Sequence, residues 1–587
     1  MFNNTEKGTY HRMTPSMDEP SLPISVAYDA FHEAIRRGPV VLSSPTGSGK
    51  STQVPRWCSQ TARVLVVEPR RVACRALASR IASLENSSLG QAVGYIVRDE
   101  RCISSNTQIV FATPGIVLKL LASPDGIDEY ETVIIDEFHE RSMETDLIFA
   151  LLTQRRPKRF IVMSATIDGD RLARHVGGTH VTAAGRTFPV DIQYLGYPSD
   201  LPTTYQLETR VQEAVERVLP DGDVLIFSPG KAEIRRIISA LSGLPFEILP
   251  LHGGLTLQEQ SRIFSKGKRR RIIVSTNVAE TSLTVPSVRT VIDTGLVRST
   301  RYQDGRGYLT LMPIAQDSAE QRAGRAGRVS SGLCIRLWGH GGRLKESTPP
   351  ELHRESVVPL VLAAMACGAD PETLPFPDSP PPHALATARD ELTVMGAIQS
   401  HKLTETGRHL FRLPLRPELG RILVEAQGSD LLEAIVDLVA ALDVDRPLFI
   451  GAPEYPEDDL RSMGCDATAL IAAIRTGEPQ THALAPYTLR EMRQRARRLR
   501  DAFGLPTTIP NTLPPKLSTG IGRLVLSADS RTGYIKRVRK RHIAWSNGGT
   551  EIALANTSAV NDNTRAVVVL ALRSIGLDHR KGQLVAT

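Results

Sequence analysis

Two arginines three residues apart in QRAGRAGR (321–328), Arg325 and Arg328, have the charge and spacing to embrace the terminal phosphate of a nucleotide. Alone they mean little, because glycine-rich arginine runs also occur in unstructured tails. Two earlier segments give them a target: SPTGSGKST (44–52) and DEFHE (136–140). Thr46, Gly47, Ser48, Gly49, Lys50, Ser51 and Thr52 make a glycine-rich loop directly after the apolar run Val40–Leu42. Glycines let backbone N–H groups curl around phosphate oxygens, and the N-terminus of a following helix favours negative charge. Lys50 is expected to reach the β- and γ-phosphates, and Ser51 to hold Mg2+ through its hydroxyl. The strict form of this loop wants glycine at 44, where the chain has Ser44.

Asp136 follows the apolar run Val133–Ile135, which sets it at a strand end beside the loop as a direct or water-mediated Mg2+ ligand. Glu137, counted with the metal set, is placed to orient and deprotonate the attacking water. His139 would link the site to a second domain by a hydrogen bond, and Gln321 would fix the water or the γ-phosphate. Phosphoryl transfer needs mainly positioning and charge neutralisation. Arginine fingers of the Arg325 and Arg328 kind contribute about 10³–10⁵ in rate. The set reads as an ATP site split between two domains, which converts hydrolysis into motion.

The elements that must position these residues are legible as short apolar runs, each ending in a turn or polar cluster. Val40–Leu42, Val64–Val67, Ile109–Phe111, Val133–Ile135 and Phe160–Met163 form one series; Val224–Phe227, Ile272–Val274 and Val291–Ile292 form a second. Such runs with helical stretches between them indicate buried parallel strands in βαβ units, with ligands at the carboxyl ends. Two tandem α/β domains follow, at 22–185 and 186–345, after a mobile tail at 1–21. Beyond Pro-rich stretches at 349–350 and 375–382 the pattern changes to amphipathic helices, including Leu431–Leu442 and the basic Leu489–Leu499. Near the C-terminus Arg523–Leu526, His542–Trp545, Glu551–Leu554 and Ala566–Leu572 read as short strands around an NGG turn (547–549), compatible with a small β-barrel.

The chain has 587 residues, 41% apolar and 23% charged, with 71 Lys+Arg against 63 Asp+Glu for a formal net charge of +8. That surplus favours a polyanionic partner. The six cysteines form no CxxC pair and read as reduced thiols of a cytoplasmic protein, not a disulfide or zinc framework. No apolar run reaches the roughly 18 residues of a membrane span, and the first residues carry no apolar leader core, so neither secretion nor a membrane is expected.

The motifs together resemble DExH-box helicases of superfamily 2, specifically the DEAH/RHA group. The resemblance rests on SPTGSGKST, EPRR (68–71), DEFHERS (136–142), MSAT (163–166), FSPGKAEI (227–234), LHGGL (251–255), STNVAETSLTV (275–285), VIDTGLV (291–297) and QRAGRAGR. Phe138 in place of the usual Ala, with GRTFPVDI (185–192), resembles the bacterial HrpB-like branch. ELTVMGAI (391–398) and LTETGRHLFRLPLRPELGRIL (403–423) resemble the winged-helix and ratchet segments of the group. The resemblance implies two RecA-like domains, then a winged-helix-like domain (346–412), a helical ratchet-like bundle (413–510) and an OB-like barrel with the C-terminal tail (511–587). Residues 113–115 read Thr-Pro-Gly, where the group usually carries an acidic residue before the glycine. The long C-terminal extension common in the HrpB-like branch is also not present in this sequence, so a function residing there is expected to be missing.

The implied activity is ATP-dependent 3′→5′ translocation on single-stranded RNA with duplex unwinding, with relaxed NTP selectivity, by a monomer. A DNA helicase, or a remodeller or ATP-gated RNA clamp with little unwinding of its own, remains open, as does an activating protein partner. A translocating motor grips the backbone rather than base edges. The candidates are Arg70, Arg71, Thr113, Ser228, Lys231, Thr276 and Asn277, each beside a strand end, with Arg71, Thr113 and Thr276 foremost by analogy. For any one of them a local cap or surface charge is the plain alternative. VRSTRYQDGRGYLTL (297–311) has a DGRG turn between strand formers, which predicts a β-hairpin; in related helicases a hairpin here acts as a wedge. The basic clusters GKRRR (267–271), REMRQRARRLR (490–500) and KRVRKRH (536–542) fit solvated faces as well as strand binding.

Overall fold

The computed structural model describes residues 22–586, except 46, 99, 125, 166–167, 185–187, 253–254, 256–258, 260–261, 264–268, 281–284, 286, 304–305, 445–447, 450–459, 480–481, 540–541, 550, 556–557, 562 and 576–582. The tail expected at 1–21 therefore lies outside the described residues. The chain divides into two compact units. The first runs to Arg298 and adds Leu311–Glu351 and Leu374–Ser379; the second comprises Ser299–Thr310, Leu352–Thr373 and the chain from Pro380 onward.

The first unit holds two sheets. In chain order the first contains β1 (Val40–Ser43), β2 (Val64–Val67), β3 (Val93–Val97), β4 (Glu100–Cys102), β5 (Ile109–Ala112), β6 (Thr132–Ile135), β7 (Arg159–Ser164) and β8 (Thr179–Thr182). In space they run β4-β3-β5-β2-β6-β7-β1-β8. Only β3 and β4 pair antiparallel. Parallel pairing requires helical crossovers on the faces, and Lys50–Ser59, Arg71–Leu84, Pro114–Leu121, Met143–Arg155 and Gly169–Val176 supply them. Covered on both sides, β2, β5 and β6 are buried at every position, which is why they read as unbroken apolar runs.

The second sheet repeats the plan with β9 (Val190–Tyr194), β10 (Asp223–Phe227), β11 (Glu247–Leu251), β12 (Arg271–Ser275), β13 (Val288–Asp293) and, after a hairpin of β14 (Leu296–Gln303) and β15 (Arg306–Pro313), β16 (Gly332–Arg336). The order is β11-β12-β10-β13-β16-β9, parallel throughout. These are the two RecA-like α/β layers that the motifs imply. The hairpin falls where the DGRG turn predicts one, although residues 304–305 at its tip lie outside the described residues.

In the second unit, helices Val358–Ala366 and Pro382–Val394 precede the two-residue strands Ile398–Gln399 and Lys402–Leu403 and the helix Glu405–Arg412, whose N-cap Thr404 accepts from the Gly407 N–H. Helices Pro417–Ala426, Leu432–Leu442, Asp466–Thr476, Pro486–Ala502 and Leu517–Ala528 then bury one apolar core. At its centre the fully buried Asp437 accepts from Arg475 Nε and from Arg500 Nε and Nη2, each at 2.8 Å. Arg523–Leu526 is helical, not a strand: Leu517, Ile521, Leu524, Val525 and Ala528 are buried at helical spacing. The closing sheet of six strands includes His542–Ser546 and Glu551–Leu554, and the expected strand 566–572 breaks into Ala566–Val568 and Leu572–Ile575. These last two are its outer members and are not paired with each other among the described residues. No described helix is long and apolar enough to cross a membrane.

Candidate nucleotide and nucleic-acid site

β1 delivers its last residue, Ser43, into the glycine-rich loop, and the helix Lys50–Ser59 begins seven residues later. Gly47 (φ 87°) and Gly49 (φ 96°) take left-handed backbone that other residues rarely adopt. A Cβ on Gly49 would also lie 2.8 Å from Leu22 Cδ1, because the chain before the first helix packs on the loop. There the Ile24 N–H donates to the Ser48 carbonyl at 3.1 Å. The first-turn N–H groups of the Lys50 helix have no intrahelical acceptor and carry the positive end of its dipole into the loop. The buried hydroxyls of Ser44 and Ser48 have no hydrogen-bond partner among the described residues. Thr52 Oγ1 donates back to the Gly49 carbonyl (3.0 Å), so it locks the helix start. Thr46 lies outside the described residues.

Two strands away, β6 presents DEFHE at the same edge. The Asp136 N–H donates to the Val67 carbonyl (2.9 Å), and Asp136 Oδ1 accepts from the Glu137 N–H (2.8 Å). Glu137 then turns left-handed (φ 50°), as does Arg141 (φ 48°), bracketing a single 3₁₀ turn over Phe138–Glu140. Left-handed backbone in a non-glycine residue costs about 1–3 kcal/mol and gathers at functional sites. Its result is that Glu137 Oε1 faces Lys50 Nζ at 3.5 Å while Oε2 lies 3.4 Å from His139 Nδ1. The Ala165 N–H donates to that same Nδ1 (3.5 Å). Phe138 is fully buried and stacks on Phe149, with centroids 4.8 Å apart.

Burial, with Glu137 adjacent, pushes the Asp136 carboxyl up to about 6 against the pull of Lys50 and the Ser51 hydroxyl. Burial alone would raise Glu137 too, but Lys50, His139 and Arg325 outweigh it and hold it below its ordinary value. Glu137 is thus the more acidic member of the pair and stays ionised at neutral pH. Burial lowers His139 against the opposing pull of Glu137.

The fingers follow the helix Gln316–Ala323 in the second sheet's layer. Arg325 is buried and donates through Nη2 to the Glu280 carbonyl. Both Arg325 and Arg328 feel the charge of Glu137. Burial, and for Arg325 the neighbouring Arg328, disfavours their charge; a guanidinium stays protonated regardless. Lys50 contacts Glu137, and Arg325 and Arg328 lie near enough to feel its charge. Such a cluster of cations suits polyphosphate, and Asp136 beside Ser51 suits a hard divalent cation. Gln321 is half-buried on the finger helix.

Three residues that sequence reasoning left unassigned hold the fingers. Arg322 is 1% exposed, donates from Nε to Glu280 Oε2 and from Nη1 to Asp293 Oδ1 (both 2.9 Å), and covers the Phe227 ring at 4.8 Å. Glu280 Oε1 also accepts from Ser318 Oγ at 2.5 Å. Each sits in a motif already quoted, but only folding shows that they pair.

The proposed strand contacts all lie at carboxyl strand ends. Arg71 starts a helix after β2 and donates to the Arg98 carbonyl (2.5 Å); Thr113 is the N-cap position after the adjacent β5. Ser228 follows β10, with its N–H on the Ser275 carbonyl (2.7 Å), so it sits beside Thr276 and Asn277 after β12. Lys231 opens the helix after Ser228. Arg70 is differently engaged: its Nη1 donates to the Val278 carbonyl (2.7 Å) and its Nε lies 3.1 Å from Glu140, which ties the two sheets' loops together. Beside the Thr-Pro-Gly turn stands an acid from another helix: a Cβ on Gly115 would meet Glu144 Oε1 at 3.5 Å.

Known families match three stretches: DEAD/DEAH box helicase over residues 25–174, Helicase conserved C-terminal domain over 208–330, and Helicase associated domain (HA2), ratchet-like, over 416–503. Escherichia coli ATP-dependent RNA helicase HrpA is 37% identical over 455 residues, which are 73% of this chain and 35% of that protein. Human probable ATP-dependent RNA helicase DHX34 is 35% identical across 71% of this chain and 39% of its own length. Yeast probable ATP-dependent RNA helicase DHR2 is 34% identical across 75% and 64%. The chain thus spans between about a third and two-thirds of these relatives. Among solved structures, the Escherichia coli DEAH/RHA helicase HrpB superposes with a TM-score of 0.77 at 27% identity, over 94% of this chain and 68% of that one.

Proposed function

The chain belongs to the DExH-box superfamily 2 helicases of the DEAH/RHA group, and on that premise we propose that it is an ATP-dependent RNA helicase that moves 3′→5′ along single-stranded RNA and opens duplexes. The observation that carries this is the convergence of Lys50 and Glu137 from the first sheet with Arg325 and Arg328 from the second on one buried cluster. Curated relatives named ATP-dependent RNA helicases support the same reading.

In this reading the loop N–H groups and Lys50 hold the β- and γ-phosphates, and Ser51 and Asp136 hold Mg2+. The ion, when bound, neutralises phosphate charge. Glu137 orients the attacking water and takes its proton; it is ionised at neutral pH, and its basicity rises once Lys50 is drawn away to phosphate. Binding phosphate breaks the Lys50–Glu137 contact, which frees the carboxylate for water. Arg325 and Arg328 stabilise charge that develops in the transition state. Since they come from the other sheet, ATP favours closure and its hydrolysis favours opening. Arg71, Thr113, Ser228, Lys231, Thr276 and Asn277 would carry the strand by its backbone, and each opening would shift one set against the other. The accompanying domain limits are 22–185, 186–345, 346–412, 413–510 and 511–587, in a monomer of the cytoplasm.

Steady-state ATP turnover tests this with no nucleic acid, with poly-U RNA and with poly-dT. Stimulation by RNA alone supports an RNA motor. Equal stimulation by both makes DNA an equal substrate, because backbone contacts distinguish the two only through the 2′-OH. A low rate that neither polymer raises contradicts an independent motor and favours a remodeller that needs an activating partner.

A further inference from the structure

Outside the motifs, two side chains of the first sheet and one of the helix Gly169–Val176 form a continuous hydrogen-bonded line. His180 Nδ1 lies 2.8 Å from Asp170 Oδ1, and His180 Nε2 lies 2.9 Å from Ser43 Oγ. The imidazole has been given room for this. A Cβ on Gly169 would lie 2.1 Å from His180 Nε2, so no other residue fits at 169 with the ring in place. β8 pairs with β1 so that His180 stands beside Val41, and its ring reaches two residues along to Ser43. In neutral imidazole one nitrogen donates and the other accepts. A carboxylate accepts only, so Asp170 takes the Nδ1–H, and Nε2 accepts from the Ser43 hydroxyl.

The ends of this line are what give it meaning. Ser43 is the last residue of β1 and feeds the phosphate loop; its carbonyl accepts from the Ala183 N–H (3.0 Å), and the next N–H, of Ser44, donates to the Ser164 carbonyl (3.1 Å). Asp170 is in the first turn of the helix that follows the Ser164–Ala165 segment, and Ala165 donates to His139, the neighbour of Glu137. The pattern is that of a hydrolase triad, but Ser43 lies between β7 and β8 in the sheet and its hydroxyl is turned to His180.

We propose that His180 is a positioning residue for ATP binding: through Ser43 and Asp170 it fixes the strand end that launches the phosphate loop against the helix Gly169–Val176. The inference rests on the ATP reading of that loop, and its test separates the two. ATP turnover is measured at saturating RNA for Ser43→Ala, His180→Ala, Asp170→Ala and His180→Gln, with thermal melting of each. Loss of one neutral hydrogen bond corresponds to roughly five-fold in an equilibrium constant. Ser43→Ala and His180→Ala are each expected to raise KM for ATP about five-fold with kcat within two-fold, since loop placement serves ground and transition states alike.

The Ser43→Ala/His180→Ala double variant should be no worse than the poorer single one, and His180→Gln, which can still accept from Ser43, should recover most of the loss. An unchanged KM in Ser43→Ala, or single effects that multiply in the double variant, overturns the proposal. If His180→Ala melts below the assay temperature, Ser43→Ala and Asp170→Ala decide alone, because each removes only one end of the line. Failure of the ATP reading itself would show differently, as a wild-type chain with no turnover.

Discussion

Replacing Glu280 should cripple hydrolysis without touching the phosphate loop. Its carboxylate binds Ser318 Oγ (2.5 Å) and Arg322 Nε (2.9 Å), while its backbone carbonyl receives Arg325. Glu280→Ala leaves Arg322, 1% exposed, with Asp293 as its remaining carboxylate partner. A hydrogen bond to a charged group contributes about 1.5–3 kcal/mol, and the Ser318 contact adds about 1 kcal/mol if well formed. A loss of about 2.5–4 kcal/mol in finger placement corresponds to about 70- to 900-fold in rate. We expect it in kcat, with KM for ATP within about threefold, because fingers act mainly on the transition state. Glu280→Gln keeps the acceptor oxygen and should fall between. Steady-state ATPase at saturating RNA, with a melting curve for each variant, reads this directly. Normal kcat in a Glu280→Ala protein that merely melts earlier would refute the reasoning, since Glu280 would then serve folding alone.

Glu137→Gln should reduce turnover by about 10²–10⁴, the usual contribution of a general base, and should trap RNA in an ATP-dependent complex; undiminished turnover contradicts the assignment of the base. Asp437→Ala should destabilise the helical bundle by about 3–5 kcal/mol, because it removes the carboxylate that the buried Arg475 and Arg500 share and leaves Arg500 with Glu433, and urea unfolding measures it. Phe138→Ala should cost about 3–5 kcal/mol by opening a cavity against Phe149, read in the same way. In the nucleotide-free protein the raised Asp136 makes the folded state bind more protons than the unfolded one between about pH 4 and 6. Stability from this group is therefore full below the ordinary carboxylate range and is lost as pH rises toward 6; Asp136→Asn should flatten that slope in melting curves.

The sequence was most legible where burial is complete. β2, β5 and β6 are buried at every residue and stand out as apolar runs. Four of the strands that escaped notice lie at sheet edges: β4 (ERC), β8 (THVT), β9 (VDIQY) and β11 (EILPL). An edge strand is half exposed, so its residues need not be apolar; β9 exposes its three central residues. Arg523–Leu526 misled for the opposite reason, since a short apolar run such as Leu524–Leu526 fits a helix turn as well as a strand. In the candidate site, Lys50, Asp136, Glu137, Arg325 and Arg328 could be picked out as candidates because phosphate chemistry restricts which residues can serve. Glu280, Arg322 and the line through His180 could not, because each depends on partners that only the sheet register brings together. Arg70 shows the same limit: a basic residue after a strand reads as a phosphate contact, yet in the fold it joins Glu140 and Val278.

The central claim is that one ATP site is built from both sheets and drives motion on RNA. Arg325→Ala tests it most directly, in a single assay of ATP affinity, ATP turnover and strand separation on an RNA duplex with a 3′ overhang. We expect ATP to bind within a few-fold of wild type while turnover and unwinding fall together by about 10³-fold or more. Turnover that persists in Arg325→Ala would contradict the account, for the first sheet would then hydrolyse ATP without the second.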